Sequence, residues 1–314
     1  MKKTILTNED IKKYLAEPIF HPTFNQVYKH MHKAFSSYGR TPASCYIIGD
    51  SGVGKTTLAK VMYNEIIANT EPNPDANIIS VVMIKLAPGA LPDEVRKDIL
   101  AELGVDASGY SGRNLRILLE NQLKVCGVRL IIFDEFQHLV RQYDKDVNRN
   151  ACNFIKNLID DIEIPVVLLG TPKGKKLFKL FDELRTRFIS AGELEPMSCD
   201  NNDNFDYFSI YLEDLMRRFP LNTIDLSKGN HPYRVMLATG GNLRTLEYIL
   251  SEVLSENRNS SKKLVLKDYQ AAYSFMRKDE LVTKRGRIIK PFESDIETIK
   301  KDLKNYEKLE FLNA

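Results

Sequence analysis

The chain has 314 residues, of which 43% are hydrophobic and 28% charged, and its formal net charge is +3. This composition is typical of a water-soluble globular protein, and no apolar run approaches the roughly 20 residues of a membrane span. Residues 1–10 become acidic where a signal peptide would become apolar, so the sequence predicts a cytoplasmic protein without membrane attachment. The four cysteines lie far apart with no C-x-x-C pair, which favours neither a zinc site nor a disulfide framework.

The first predicted segment, residues 1–39, contains two short helices broken at Pro18 and Pro22. It is rich in aromatic side chains, and these are Tyr14, Phe20, Phe24, Tyr28 and Phe35. Two uses are open for them. They can belong to ordinary core helices, which is the more common case, or they can pack over a planar ring such as a nucleotide base.

A complete G-x-x-x-x-G-K-T phosphate loop follows the apolar run 44–48 and precedes a helical pattern, which is the setting that this motif requires. Its glycines let successive backbone N–H groups turn toward a triphosphate, and the following helix adds its positive N-terminal end. Lys55 is expected to contact the β- and γ-phosphates of ATP, and Thr56 to bind Mg²⁺. The predicted nucleotide-binding residues are Gly49, Asp50, Ser51, Gly52, Val53, Gly54, Lys55, Thr56 and Thr57.

A second motif, which is acidic, follows the hydrophobic strand pattern 128–133. It consists of Asp134 and Glu135. Asp134 is expected to bind Mg²⁺ with Thr56, and Glu135 to orient and deprotonate the attacking water. One further strand is predicted between the phosphate loop and this Walker B pattern, at residues 78–84. The two motifs together therefore predict a P-loop ATPase.

Four basic residues lie on the two helical patterns 91–103 and 113–124: Arg96, Lys97, Arg113 and Arg116. On sequence alone such charges are most often a solvated helix face.

Three further segments carry polar residues at the ends of predicted elements. Thr171 ends the strand pattern 165–170, so its hydroxyl is expected beside Asp134 and Glu135 if the two strands are neighbours. Arg185 and Arg187 follow a helical stretch, and Arg244 opens another helix after Gly240-Gly241.

In this order the motifs resemble those of the AAA+ ATPases over residues 40–275. The resemblance implies an α/β fold, a three-layer P-loop AAA+ parallel sheet with a small C-terminal helical lid. It also implies that Arg187 is the arginine finger that reaches a neighbouring subunit, with Arg185 as its rival, and that Arg244 is the sensor-2 arginine. Thr171 is then expected to take part in catalysis, with its hydroxyl near the γ-phosphate and the attacking water.

Within the AAA+ ATPases, the chain is similar to TniB and TnsC, the ATPase regulators of bacterial DNA transposition. The similarity lies in the run 131–139, the Leu-Gly-Thr-Pro segment 169–172 and an aromatic lid. It implies a homo-oligomer, a ring or a helical filament, that forms on double-stranded DNA without sequence preference when ATP is bound. It also implies two protein partners, a transposase and a TniQ-type target-selection protein, in some systems tied to a CRISPR effector. The four basic residues of 91–124 then become candidates to contact DNA phosphates.

The predicted domains are the N-terminal segment 1–39, the ATPase core 40–200, the helical lid 201–276 and a charged tail 277–314. The tail begins at Arg277-Lys278, and its composition is typical of disordered segments. Ile296, Ile299 and Leu303 nevertheless recur at helical spacing, so one amphipathic helix is predicted, which would need a partner surface. The transposase is the partner that the resemblance suggests.

Two classes of function remain open. The first is an ATP-hydrolysing assembly on DNA that sets where a transposase acts. The second is a nucleotide-switched adaptor, or an ATPase of the helicase-loader and initiator type, that is not dedicated to transposition. DNA-stimulated ATP hydrolysis distinguishes the first from an adaptor that touches no DNA.

Overall fold

The computed structural model describes residues 5–71, 77–140, 144–276, 281–306 and 309–311. They form two compact units. We call Thr23–Glu195 the sheet unit, and Met1–Pro22 together with Pro196–Ala314 the helical unit. The first helix, α1 (Asn8–Ala16), belongs to the helical unit, whereas α2 (Pro22–Phe35) lies almost wholly in the sheet unit.

The sheet unit is built on five parallel strands in the order β2-β3-β4-β1-β5. These are β1 (Cys45–Gly49), β2 (Val81–Lys85), β3 (Leu130–Asp134), β4 (Val166–Gly170) and β5 (Ser190–Leu194). The central strands β3 and β4 are buried along their whole length, as expected for continuous apolar runs in a parallel sheet with both faces covered.

Helices cover both faces of this sheet. The remaining ones are α3 (Lys55–Ala68), α4 (Pro92–Glu102), α5 (Gly112–Val125), α6 (Lys145–Asp160), α7 (Lys175–Leu180) and α8 (Asp182–Arg185). Successive side chains of a strand point to opposite faces. Accordingly, Ile131 and Phe133 pack with α4, α5 and α6, whereas Leu130 and Ile132 pack with α2 and α3. The predicted three-layer α/β fold is therefore confirmed.

The helical unit contains the lid helices expected from the sequence. They are α9 (Asn202–Arg217), α10 (His231–Thr239), α11 (Leu243–Glu256) and α12 (Leu266–Met276). The aromatic side chain of Tyr14 on α1 is buried in the same core, and its hydroxyl donates a hydrogen bond to the Leu215 carbonyl at 3.1 Å. Phe24 on α2 is buried in the sheet unit instead. Both aromatic residues thus serve as core, and a position of the N-terminal segment near the nucleotide stays a prediction.

The amphipathic helix predicted in the tail forms α13 (Ile296–Lys304), near the short antiparallel strands β6 (Leu281–Val282) and β7 (Glu310–Phe311). Its apolar side contacts the same unit, because Ile299 is fully buried with Leu237 of α10 and Ile289. This packing gives the helix an apolar surface within its own chain, and a partner protein for the tail stays a prediction. Arg277 and Lys278 lie outside the described residues.

Among the described residues, no helix combines the length and apolar character needed to cross a membrane.

Candidate nucleotide site

The phosphate loop connects the end of β1 to the start of α3. Gly52 and Gly54 have φ angles of 84° and 100°, a left-handed conformation that glycine adopts without steric cost. Gly49 is required for another reason, because a Cβ atom there would lie 2.2 Å from the Leu194 carbonyl oxygen of β5. The loop therefore turns directly into a helix N-terminus, the arrangement that binds phosphate groups.

Lys55 occupies the concave side of this loop and is only 6% exposed. Its ammonium group donates hydrogen bonds to the carbonyl oxygens of Gly49 at 2.8 Å and Asp50 at 2.7 Å. These bonds hold the positive charge against the start of the loop backbone. When a phosphate is bound, its oxygen can accept hydrogen bonds from the same Lys55 ammonium group.

Thr56 and Asp134 meet beside the loop, as the sequence predicts. The Thr56 hydroxyl donates to Oδ2 of Asp134 at 2.7 Å, and the backbone N–H of Glu135 donates to Oδ1 at 2.9 Å. Asp134 is fully buried. A hydroxyl and one carboxylate are the hard oxygen donors that Mg²⁺ uses in nucleotide sites, where phosphates and water supply the other ligands. The residues therefore fit Mg²⁺, although no group of three or more His, Cys, Asp or Glu side chains suited to a metal occurs among the described residues.

Glu135 has a left-handed backbone conformation with φ 62° and ψ 37°, which is uncommon for a residue with a side chain. Its carboxylate accepts a hydrogen bond from Nε2 of Gln137, and Oε1 of Gln137 accepts one from the backbone N–H of Thr171 at 3.0 Å. Gln137 was not among the predicted site residues. The left-handed turn that brings it back to Glu135 has no clear sequence signal, because glycine, the usual residue there, is absent.

Thr171 stands at the end of β4, next to β3 in the sheet, so it is placed near Glu135 as expected. Its hydroxyl oxygen is buried and has no hydrogen-bond partner within the described parts of the chain. A buried hydroxyl without a partner costs roughly 1–3 kcal/mol. This is the kind of group that a bound phosphate or water would satisfy.

The two candidate finger arginines differ in their surroundings. The Arg187 guanidinium forms a two-pronged ion pair with Asp160 of α6, at 2.6 and 2.5 Å, and its side chain is 26% exposed. This hydrogen bonding to Asp160 raises the pKa of Arg187 above its usual value. Arg185 is 71% exposed and forms a single longer pair with Asp182.

Arg244 lies in the first turn of α11, whose N-cap Asn242 accepts a hydrogen bond from the Thr245 N–H at 3.2 Å. Gly241 before it has φ 75°, and a Cβ there would lie 1.8 Å from the Met197 carbonyl oxygen. The start of this helix is thus fixed by a close backbone approach within the helical unit. Contact of Arg244 with a nucleotide stays a prediction.

The four predicted DNA-contacting residues divide into two pairs. Arg96 is ion-paired with Asp93 at 2.5 Å and lies 5.0 Å from the centre of the Phe154 ring. Arg116 bridges Glu120 and Asp161, each at 2.7 Å. Both are therefore held by their own chain, which weakens their candidacy for phosphate contacts.

Lys97 and Arg113 make up the second pair. Arg113 is exposed in the first turn of α5, and Lys97 is half-buried on α4. Within the described ranges, neither has an ion pair with a carboxylate. They remain the better candidates of the four.

The fold is the α/β three-layer fold of the P-loop AAA+ ATPases. Cdc6p from Pyrobaculum aerophilum superposes with a TM-score of 0.62 at 14% identity, over 85% of this chain and 71% of that chain. The Aeropyrum pernix ORC2 protein, solved as ADPNP-ADP complexes, gives 0.59 at 15% identity over 84% and 71%. The Aeropyrum pernix ORC1 protein in complex with DNA gives 0.59 at 15% identity over 84% and 68%.

A sequence comparison shows the family to which the chain belongs. The model of the family described as Bacterial TniB protein matches residues 13–195, more than half of the chain. The chain therefore belongs to the TniB family. No curated protein matches it.

Proposed function

We propose that this chain is an ATP-hydrolysing regulator of DNA transposition, which assembles on double-stranded DNA and links a target-selection protein to the transposase. The observation that carries the proposal is the hydrogen-bonded group of Thr56, Asp134 and Glu135 beside the phosphate loop, in a chain of the TniB family. The solved ORC2 protein with a similar fold was obtained as ADPNP-ADP complexes, which supports a nucleotide in the equivalent fold.

In this proposal the loop amides and Lys55 bind the β- and γ-phosphates of ATP, while Thr56 and Asp134 would hold Mg²⁺. When bound, Mg²⁺ neutralises charge on the phosphate oxygens. Glu135 accepts a proton from the attacking water, and Thr171 offers its buried hydroxyl beside it. Arg187 of a neighbouring subunit donates to the γ-phosphate in the transition state, and Arg244 is the proposed sensor-2 arginine.

The proposed DNA binding is supported by the family and by two cations, the exposed Arg113 and the half-buried Lys97. The ORC1 protein with a similar fold was solved in complex with DNA. Contacts from these side chains to backbone phosphates would be independent of sequence and weakened by salt, because each neutralised phosphate releases counterions. A ring or filament of subunits would then present one surface to a TniQ-type protein and another to the transposase.

A second candidate is a nucleotide-switched adaptor that binds proteins and no DNA. It is favoured by the ion pairs of Arg96 and Arg116, which engage two of the four predicted DNA-contacting cations with carboxylates of the same chain. An initiator-like ATPase outside transposition fits the same fold.

Duplex binding measured with ATP, with ADP and with a non-hydrolysable ATP analogue tests the proposal. We expect wild-type protein to bind DNA tightly only with ATP or the analogue. The Glu135→Gln variant should bind DNA with ATP as wild type does with the analogue. Absence of duplex binding at low salt under all three conditions would contradict the proposal and favour the adaptor.

A further inference from the structure

We propose that Gln137 is a positioning residue, which ties the carboxylate of Glu135 to the backbone N–H of Thr171 and so couples the catalytic base to the end of β4. The inference rests on the proposed ATP hydrolysis for its consequence and on the geometry of the sheet unit for the bridge itself. The bridge consists of two hydrogen bonds, from the Thr171 N–H to Oε1 of Gln137 and from Nε2 of Gln137 to Glu135.

The orientation of the Gln137 amide follows from the chemistry of its neighbours. A backbone N–H can only donate, so the amide oxygen must face Thr171. An ionised carboxylate can only accept, so the amide nitrogen must face Glu135. Rotating the amide by 180° would lose both hydrogen bonds, and this orientation is therefore the one that satisfies the site.

Two glycines make room for the bridge. A Cβ atom on Gly170 would lie 2.5 Å from Oε1 of Gln137 and 2.6 Å from the Phe136 ring. A Cβ atom on Gly174 would lie 2.3 Å from the same ring. Phe136 is fully buried, and its ring lies against both glycines. This packing fixes the 3-10 turn Phe136–Leu139, and Gln137 in that turn therefore lies at the end of β4.

The bridge explains how Glu135 keeps its left-handed conformation. Such a backbone costs on the order of 1–3 kcal/mol and persists only where the surroundings fix it. Here the Asp134 side chain accepts from the Glu135 N–H, and Gln137 holds the carboxylate. A displacement of the Thr171 N–H would therefore be transmitted through Gln137 to the Glu135 carboxylate.

The variant Gln137→Met tests this coupling, since methionine has a similar length and makes neither hydrogen bond. We expect kcat for ATP to fall by about 10- to 100-fold, by analogy with hydrogen-bonding residues that orient metal ligands. Binding of a non-hydrolysable ATP analogue should change by less than about twofold, because the phosphate contacts remain. Gln26→Met, at an exposed position of α2 in the same unit, is the matched control and should behave as wild type.

A readout without nucleotide tests the bridge directly. Hydrogen–deuterium exchange of the peptide 166–175 should become faster in Gln137→Met, because the Thr171 N–H loses its acceptor, and should stay unchanged in Gln26→Met. This arm is independent of hydrolysis. If wild-type protein hydrolyses no ATP with or without duplex DNA, the proposed function fails, while the exchange result still decides whether the bridge exists.

Gln137→Glu separates the two hydrogen bonds and serves if the methionine variant does not fold. Its carboxylate can still accept from Thr171, so exchange of 166–175 should resemble wild type. It loses the donor to Glu135, so kcat should fall while binding of the non-hydrolysable ATP analogue stays close to wild type. A wild-type kcat in this variant, or wild-type exchange and kcat in Gln137→Met, would overturn the proposal.

Discussion

The carboxyl ends of β1, β3 and β4 and the outer faces of α4 and α5 both carry polar side chains, but their surroundings differ. At the strand ends, Lys55 is 6% exposed and Asp134 is fully buried, and their hydrogen-bond partners come from adjoining loops and helix starts. On α5, Arg116 has a side chain that is 43% exposed, and its partners are the carboxylates of Glu120 on α5 and of Asp161, the residue after α6.

The difference lies in the cost of losing a partner. A buried polar group left without its hydrogen bond costs roughly 1–3 kcal/mol, and more when it is charged. An exposed ion pair contributes about 0–1 kcal/mol and weakens with salt. Substitutions at the strand ends should therefore strongly reduce ATP binding or hydrolysis. Substitutions on the helix faces should have smaller effects, on DNA binding and on stability.

The largest effect is expected from Lys55→Ala. Removing charge-assisted hydrogen bonds worth about 3 kcal/mol should weaken ATP binding by roughly 100-fold or more. Lys60→Ala, at an exposed position of the same helix, is the control and should bind ATP as wild type. Calorimetric titration with ATP measures both, and equal affinities of the two variants would contradict the distinction between buried and exposed cations.

Arg187→Ala should lower ATP hydrolysis by the assembled protein while leaving ATP affinity of the isolated subunit nearly unchanged. Arginine fingers contribute about 10³- to 10⁵-fold in the GTPase cases, so a loss near the lower figure is expected. Arg185→Ala, two residues away and more exposed, is the matched comparison. Hydrolysis rates measured across protein concentration decide between them, and the opposite result would assign the finger to Arg185.

A smaller effect is expected for DNA binding. Replacing both Lys97 and Arg113 by alanine should reduce the slope of log affinity against log salt by about 1.8, since each phosphate contact contributes about 0.9. The double variant Arg96→Ala, Arg116→Ala should change the slope less, because both side chains are engaged with carboxylates. Duplex binding with a non-hydrolysable ATP analogue across a salt series measures both slopes. Equal changes would show that these ion pairs do not matter for DNA.

The smallest effect is expected in stability. Arg116→Ala should lower the free energy of unfolding of the protein by less than about 1 kcal/mol, because its ion pairs are solvent-exposed. Urea denaturation followed by circular dichroism measures the change. A loss above about 2 kcal/mol would place Arg116 among the structurally essential residues.

The same contrast explains what the sequence could predict. The carboxyl ends of parallel strands lie at one edge of the sheet, so the two motifs predict that the phosphate loop and Asp134 meet. Their positions depend on backbone geometry, which these motifs specify. The position predicted for Thr171 depends in addition on β3 and β4 being neighbours, which the sheet order shows.

Contacts between helices were not predictable in this way. The pairs Arg116–Asp161 and Arg187–Asp160 join residues 45 and 27 positions apart, and nothing in local periodicity selects one carboxylate over another. The Gln137 bridge depends on the left-handed φ of Glu135 and on the space left by Gly170 and Gly174. The packing of α13 on α10 likewise depends on which unpaired apolar face lies nearby.

We expect the group around Asp134 and Glu135 to hydrolyse ATP. ATP binding and single-turnover hydrolysis, measured on one preparation of Glu135→Gln beside wild type, test this directly. We predict near wild-type ATP affinity with hydrolysis slower by about 10²- to 10⁴-fold, the contribution of a general base. Hydrolysis by Glu135→Gln at the wild-type rate would contradict the assignment of Glu135 as the general base.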